Sequence, residues 1–403
     1  MKILVLNCGS SSVKYQFIDT ATQAALAKGM VSRIAMAGSV VAHKPLDRAE
    51  VKVSAEILDH IQAVEFVISM LMSANHGVIK EKSEINAVGH RVVHGGEEFK
   101  DSVLITPELM STLRSLIDLA PLHNPHNIRG INACNAGLPG VPQVAVFDTA
   151  FHQKMPAHAY IYGIPYVLYK KYHIRRYGFH GTSHKYVADR AAELLKKPIT
   201  GLRMITCHLG NGASVAAIDG GVSVDTSMGF TPLEGLLMGT RSGDLDPAVI
   251  LYIMATEELS LHEGNTLLNK HSGLIGISGV SSDLREIIDA SDKGNVSAKL
   301  ALDAYCYRIK KYVGAYTAAM GGVDALVFTA GVGENSPIVR ANVCRRMEFL
   351  GIKLNPTKNR SAVGVEADIS EDDARCRTFV IPTNEELVIA RDTERIVREA
   401  GKA

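Results

Sequence analysis

The sequence predicts an α/β fold assembled from two related halves, and three observations carry that prediction. Strand-like apolar runs and helix-like periodic segments alternate along the chain. A strand–turn–strand unit at residues 3–19 has an echo at residues 204–219, about half a chain later. The 403 residues suffice for two or three domains of ~150 residues, each with its own core.

The elements follow in order. Ile3, Leu4, Val5 and Leu6 form an apolar run that reads as a buried strand. Residues 13–18 read as its hairpin partner across the turn Asn7-Cys8-Gly9-Ser10-Ser11-Ser12. Between 55 and 72, Ile57, Leu58, Ile61, Val64, Val67, Ile68 and Leu71 recur at steps of three and four, the spacing of an amphipathic helix. Asp148 closes the apolar run 144–147 and so stands at a strand terminus, where α/β active sites form. Ser183 is placed to cap a helix running through Val187, Ala191 and Leu194, with His180 just upstream of its positive end. The echo at 204–219 repeats the first hairpin: an apolar strand, a turn of Gly with Asn or Ser, and a second strand ending Ile-Asp. Two such hairpins indicate a duplicated domain. Helices are expected over 298–320 and 385–400, and the strand 326–329 runs into a Gly-rich loop.

Composition narrows the function. With 43 Lys+Arg against 42 Asp+Glu, the net charge of +1 argues against a nucleic-acid clamp, and Lys170-Lys171 and Arg175-Arg176 read as solvated surface. The six cysteines never fall in a CxxC pattern, which suits reduced thiols in the cytoplasm rather than a disulfide framework or a zinc ribbon. Asn7 interrupts the first apolar run too early for a signal peptide, and no stretch approaches ~18 consecutive apolar residues. A cytoplasmic enzyme is the expectation, with no membrane and no nucleic acid as partner.

Small-residue turns at Gly9–Ser12 and Gly210-Asn211-Gly212 let backbone N–H groups approach a phosphate, and the hydroxyls of Ser10 and Ser12 and the charge of Lys14 add to the first. Facing each other across a cleft, the two would hold a polyphosphate. Gly331-Val332-Gly333-Glu334-Asn335-Ser336 is a third candidate; it resembles GxGxxG with Ser336 in place of the last glycine. Glycine-flanked Arg91 and Arg241, and His180 between Phe179 and Gly181, suit a phosphoryl group with charge on three oxygens, although loop arginines also serve structural ion pairs. His90/His94 and His180/His184 have HxxxH spacing, which raises a zinc hydrolase as a rival, but neither pair carries the Glu of HExxH. His123 and His126 read as loop residues. Glu385 and Glu386 stand in the first turn of the last helix, where they either complement its dipole or offer a hard oxygen to Mg2+.

Taken together, Asn7–Lys14, Gly89–Gly96, Val146–Thr149, Arg176–His184, His208–Gly212, Asp225–Met228, Gly239–Asp244 and Gly331–Asn335 resemble the motifs of the acetate kinase family, in order and over nearly the whole chain. The resemblance implies a duplicated two-domain fold of the actin-like, sugar-kinase (ribonuclease H-like) type with an interdomain cleft. One domain would be residues 1–150 plus 384–403, the other residues 151–383 with most nucleotide contacts. It implies that Arg91, Asp148, His180 and Arg241 are catalytic, and that Arg91, Val93, Leu122, Phe179 and Pro232 bind the acid. It places ATP on Ser10, Ser12, Lys14, His208, Leu209, Gly210, Asn211, Gly212, Asp283, Leu284, Arg285, Gly331, Val332, Gly333, Glu334 and Asn335. Asn7 and Glu385 would hold Mg2+, with Mn2+ as a substitute. Asp283 and Arg285 come from the resemblance alone. The implied reaction is reversible transfer of a phosphoryl group from ATP to acetate, giving ADP and acetyl phosphate, in a homodimer. A carboxylate is ionised at neutral pH and needs no general base, so positioning and charge neutralisation would carry the catalysis. A propionate or other short-chain acid kinase, and a chaperone-like ATPase without an acid acceptor, are the alternatives.

Overall fold

The computed structural model describes residues 1–121 and 123–401, with Asp118 described in its backbone alone. The chain divides into two units, Met1–Phe151 with Asn384–Ala403, and His152–Thr383.

The first unit carries β1 (Lys2–Cys8), β2 (Ser12–Asp19), β3 (Ala24–Ser32), β4 (Ser39–Pro45), β5 (Val51–Ala55), β6 (Ala87–Val92), β7 (Val103–Leu104) and β8 (Gln143–Phe147). They form one sheet in the order β5-β4-β3-β2-β1-β6-β8-β7. β1 pairs antiparallel with β2, placing Asn7 opposite Lys14, and parallel with β6, which pairs parallel with β8. Strands covered on both faces read as continuous apolar runs; Ile3, Leu4, Val5 and Leu6 are all buried. Val88 joins a core cluster with Val64, Val67 and Leu71 of the helix His60–Leu71. Gly89, on the opposite face of β6, lies under the terminal helix Glu385–Ala400. A Cβ at Gly89 would stand 2.5 Å from Thr393 Oγ1 and 2.7 Å from Ile389 Cγ2, so only glycine lets this helix settle.

The helix expected over 55–72 starts at His60, because Ala55 ends β5 and Asp59 caps the helix by accepting from Gln62 N at 2.9 Å. The terminal helix has the expected bounds, with Asn384 as its N-cap accepting from Leu387 N.

The second unit carries β9 (Arg203–Leu209), β10 (Ala213–Asp219), β11 (Val222–Thr226), β12 (Ala325–Thr329), β13 (Ala367–Asp368) and β14 (Arg377–Val380), in the order β11-β10-β9-β12-β14-β13. β9 is antiparallel to β10 and parallel to β12, and β12 is parallel to β14. The series β11-β10-β9-β12-β14 thus repeats β3-β2-β1-β6-β8 in order and direction. The hairpin echo seen in the sequence is the β1–β2 and β9–β10 pair of that repeat. Helix Val296–Met320 packs on β9 and β10, burying Tyr305, Ile309 and Val313.

Four local expectations change, the first being Arg175-Arg176, expected on the solvated surface: Arg175 is buried and Arg176 half-buried. The Gly-rich stretch after β12 is a short helix, Ala330–Asn335, entered with Ala330 at φ 63. Helix Gly181–Leu195 begins before Ser183; His180, at φ 57, holds the N-cap position without a side-chain capping bond, and Ser183 lies in the first turn. His126 belongs to the helix Asn124–Gly137 rather than to a loop. Among the described residues no helix is long and apolar enough to cross a membrane.

Candidate active site

In the first unit the site residues gather at the carboxyl ends of the parallel strands, where the strand order reverses. Asn7 lies near the end of β1, Arg91 near the end of β6, and Asp148 just past β8. Arg91 Nε and Nη2 reach Asp148 Oδ1 and Oδ2 at 3.2 and 2.5 Å, a forked ion pair. The Asp148 charge, followed by those of Glu385 and Glu386, raises the Arg91 pKa further above its ordinary value against the opposing effect of burial.

Glu385 and Glu386 reach the same place from the first turn of the terminal helix. With Asn7, Lys14 and Arg91 they line a cavity of about 20 Å³. Burial pushes the Glu385 carboxyl up to about 7, with Arg91 pulling it back and Asp148 and Glu386 adding to the rise. Its Oε1 is buried without a hydrogen-bond partner. A buried carboxylate oxygen with no donor, beside the amide of Asn7, forms an all-oxygen donor set that fits a hard cation such as Mg2+. No three His, Cys, Asp or Glu side chains among the described residues form a metal cluster. Mg2+ held by one or two protein oxygens, with phosphate and water completing its shell, needs none.

The turn after β1 closes with Gly9 N donating to Ser12 O at 2.8 Å. Ser10 is exposed, Ser12 half-buried, and Lys14 exposed on β2. Val93 is half-buried and its N–H donates to Asn127 Oδ1; Leu122 lies outside the described residues.

In the second unit His180 enters a polar chain. His180 Nδ1 lies 2.9 Å from Ser214 Oγ, which lies 2.8 Å from His184 Nε2; His184 Nδ1 lies 2.7 Å from Thr206 Oγ1. Burial, then the charges of His152 and His208, drives the His184 pKa well below that of a free imidazole. Two tautomer sets, running in opposite directions, satisfy the chain with neutral rings; in the one where Thr206 donates to His184, His184 to Ser214 and Ser214 to His180, the His180 proton sits on Nε2. The HxxxH pair is therefore bridged by a serine hydroxyl. His90 of the other pair instead bonds Gln143 Oε1 through Nε2 at 2.7 Å, and burial lowers its pKa to about 4.

The His180 ring stacks on His208 with centroids 4.1 Å apart, and His208 Nδ1 lies 2.8 Å from Ser183 Oγ. A Cβ at Gly212 would stand 3.3 Å from Arg241 Nη1 and 3.8 Å from His180 Nε2, so Gly212, Arg241 and His180 converge. Arg241 Nη1 donates to Pro232 O at 3.3 Å and lies 3.7 Å from Met238 Sδ. No carboxylate pairs with Arg241 among the described residues, and burial alone lowers its pKa. Arg176 Nη2 to Glu234 Oε1 at 2.6 Å and Nη1 to Thr226 O at 2.8 Å tie down the segment that leads to Arg241.

A cavity of about 770 Å³ opens beside this centre, within the range of ligand sites. Its lining includes Gly210, Asn211, Asp283, Leu284, Arg285, Gly331, Val332 and Asn335, and also Tyr305, Pro337 and Ile338, which sequence reasoning did not single out. Gly239 lines it as well; a Cβ there would meet Asn211 Oδ1 at 2.2 Å. Asp283 caps the helix Leu284–Asp292 and pairs with Arg285 at 2.5 Å, which holds its carboxyl down at about 2. His208, Leu209, Gly212, Gly333 and Glu334 are not in the lining. Leu209 is buried, Gly333 O accepts from Arg340, and the Glu334 carboxylate accepts from Thr383 N. Phe179 is buried and Pro232 half-buried, both in this unit, whereas Val93 belongs to the first.

The profile of the Acetokinase family matches residues 2–391. An acetate kinase from Desulfitobacterium hafniense is 57% identical over 399 residues, covering 99% of this chain and 100% of that protein. The crystal structure of a Porphyromonas gingivalis acetate kinase superposes with a TM-score of 0.96 at 51% identity, covering 98% of this chain and 99% of that one. A propionate kinase from Francisella tularensis superposes at 0.91 with 43% identity and the same coverage.

Proposed function

The chain belongs to the Acetokinase family, and from that premise we propose that it moves the γ-phosphoryl group of ATP reversibly to acetate, giving ADP and acetyl phosphate. The observation that carries the catalytic assignment is the half-buried Arg241, without a carboxylate partner among the described residues, converging with His180 at Gly212. A guanidinium partly withdrawn from water and unneutralised by the protein suits an anion.

One oxygen of the acetate carboxylate attacks the γ-phosphorus in line. An O–P bond forms as the bond to the bridging oxygen breaks, and ADP leaves with that electron pair. No proton need change hands, because the nucleophile is already ionised. Arg91 has committed Nε and Nη2 to Asp148, so Nη1 is the donor it offers to the carboxylate or phosphoryl group. Asp148 fixes the guanidinium and removes no proton. Arg241 and His180 Nε2–H donate to the oxygens on which charge develops. Lys14, the turn Gly9–Ser12 and the lining of the large cavity take ATP. Asn7 and Glu385 would hold Mg2+, which when bound supplies charge neutralisation to the β- and γ-phosphates.

Hydroxamate formation from ATP with acetate, propionate, butyrate or no acid tests the reading. Acetate is expected to give the highest kcat/KM. ADP release at an undiminished rate without any acid would overturn it in favour of an ATPase.

The same reading includes a cytoplasmic homodimer. All six cysteines are free thiols, which suits a reducing compartment. The helix Pro247–Thr256 is apolar yet buries none of its residues, with Leu251 67% and Tyr252 69% exposed. An apolar face of this kind favours a second copy of the chain as its cover. Sedimentation at twice 43.4 kDa is expected.

A further inference from the structure

Two loops of the first unit meet at one buried side chain. Asn127 is 3% exposed, in the helix Asn124–Gly137. Its Nδ2 donates to Cys8 O at 3.1 Å, and its Oδ1 accepts from Val93 N at 3.1 Å. Cys8 precedes the Gly9–Ser12 turn, and Val93 follows Arg91 by two residues. A buried amide engaged at both ends in opposite senses has no equivalent among other side chains except glutamine, which is one methylene longer.

Three further carbonyls, those of Gly9, Ser11 and Ser12, are held as well. His60 Nε2 donates to Gly9 O at 2.8 Å, Ile34 N to Ser11 O at 3.0 Å, and Gly9 N to Ser12 O at 2.8 Å. The N–H groups of Ser10 and Ser11 take no protein acceptor among the described residues. A turn with the carbonyls of Gly9, Ser11 and Ser12 tied to the protein and successive N–H groups available suits an anion nest.

We propose that Asn127 is a positioning residue that fixes the phosphate-facing turn relative to the acid-binding loop, and that His60 positions the turn alone. Asn127 sets the distance from the Ser10 and Ser11 N–H groups to Arg91 and Val93 without touching substrate. This proposal rests on the acetate kinase reading above.

Steady-state kinetics of Asn127→Ala, Asn127→Asp and His60→Ala test it. Loss of one buried hydrogen bond shifts an affinity by about tenfold. Asn127→Ala is expected to raise KM about tenfold for both acetate and ATP. Asn127→Asp keeps the acceptor for Val93 and loses the donor to Cys8, so KM should rise for ATP while that for acetate stays within twofold. His60→Ala should likewise raise only the ATP value, and His60→Gln, with an amide N–H for the Gly9 carbonyl, should restore most of it. A merely structural role would lower the melting temperature and the active fraction without this split. KM values within twofold of wild type in Asn127→Ala, or equal rises for both substrates in His60→Ala, would overturn the proposal. Calorimetric binding of Mg·ADP separates its failure from that of the functional reading, since it needs no acid. If wild type forms no acetyl phosphate, weaker Mg·ADP binding by Asn127→Asp and His60→Ala still supports the turn's dependence on both residues, and unchanged binding refutes it.

Discussion

Arg91 and Asp148 face each other from the ends of neighbouring parallel strands, with Nη2 and Oδ2 2.5 Å apart. The pair explains how a guanidinium at a strand end holds one orientation. Arg91→Ala and Arg241→Ala should each lower kcat by orders of magnitude, because each removes a donor proposed to meet charge that develops in transfer. Asp148→Asn should also fall by ~100-fold or more, since the fork loses its counter-charge. Near-normal turnover with an unchanged circular dichroism spectrum would refute the role of the residue concerned.

The chain from Thr206 to His180 makes a separate prediction. Ser214→Ala leaves His180 Nδ1 and His184 Nε2 without their shared partner. kcat should drop about tenfold or more with KM for acetate little changed, because the His180 tautomer is no longer set. A KM effect with kcat intact would place His180 in binding instead.

Glu385→Ala should raise the Mg2+ concentration needed for half-maximal activity far more than Glu386→Ala. Only the Glu385 Oε1 is buried without a donor. Equal, mild effects would mean that both serve the helix dipole, worth only ~0.3–1 kcal/mol.

Val93→Ala should raise kcat/KM for propionate relative to acetate by about tenfold, since one methylene in an apolar pocket is worth ~1–3 kcal/mol. A β-branched valine is stiff and leaves space for little beyond a methyl group. An unchanged ratio of the two acids would remove Val93 from the pocket.

Acid stability follows from the buried histidines. His90 has its pKa lowered to about 4, and burial also lowers those of His184 and His43. The unfolded chain takes up these protons first, so stability should fall as the pH drops from about 6.5 towards 4, by ~3 kcal/mol for His90. Glu385 works in the opposite sense between about 4.5 and 7, because its folded carboxyl binds a proton sooner. Urea midpoints of wild type and His90→Gln across this range isolate the histidine contribution. An imidazole signal of His90 titrating near pH 6.5 would contradict it.

Much of the fold was legible because periodicity and turn chemistry agree with it. The runs at 3–6 and 13–18 are β1 and β2, and the terminal helix lies at 385–400. The start of the helix at His60 was hidden, because Ile57 and Leu58 keep a helical spacing although the chain is still leaving β5. Arg91, Asp148, His180 and Arg241 stood out among glycines and strand ends. Ser214, Thr206 and Asn127 did not, because each acts through partners from distant segments, and spacing within one segment cannot report them. Thr206 and His208 do share one face of β9 by the two-residue period, a signal that becomes informative only once the strand register is known. The missing counter-charge at Arg241 is likewise a property of the folded surroundings.

The first unit is interrupted in sequence by the second, and this has a consequence for biosynthesis. On a ribosome, β1 to β8 emerge well before the helix that covers Gly89, with all of His152–Thr383 translated in between. At about 5–20 residues per second the nascent sheet waits ~10–50 s with that groove open. Glu385 arrives with the same helix, so a polypeptide stalled before residue 384 lacks both the cover of its first sheet and the carboxylate proposed to hold the metal. Until that helix is complete, the groove over Gly89 stays uncovered.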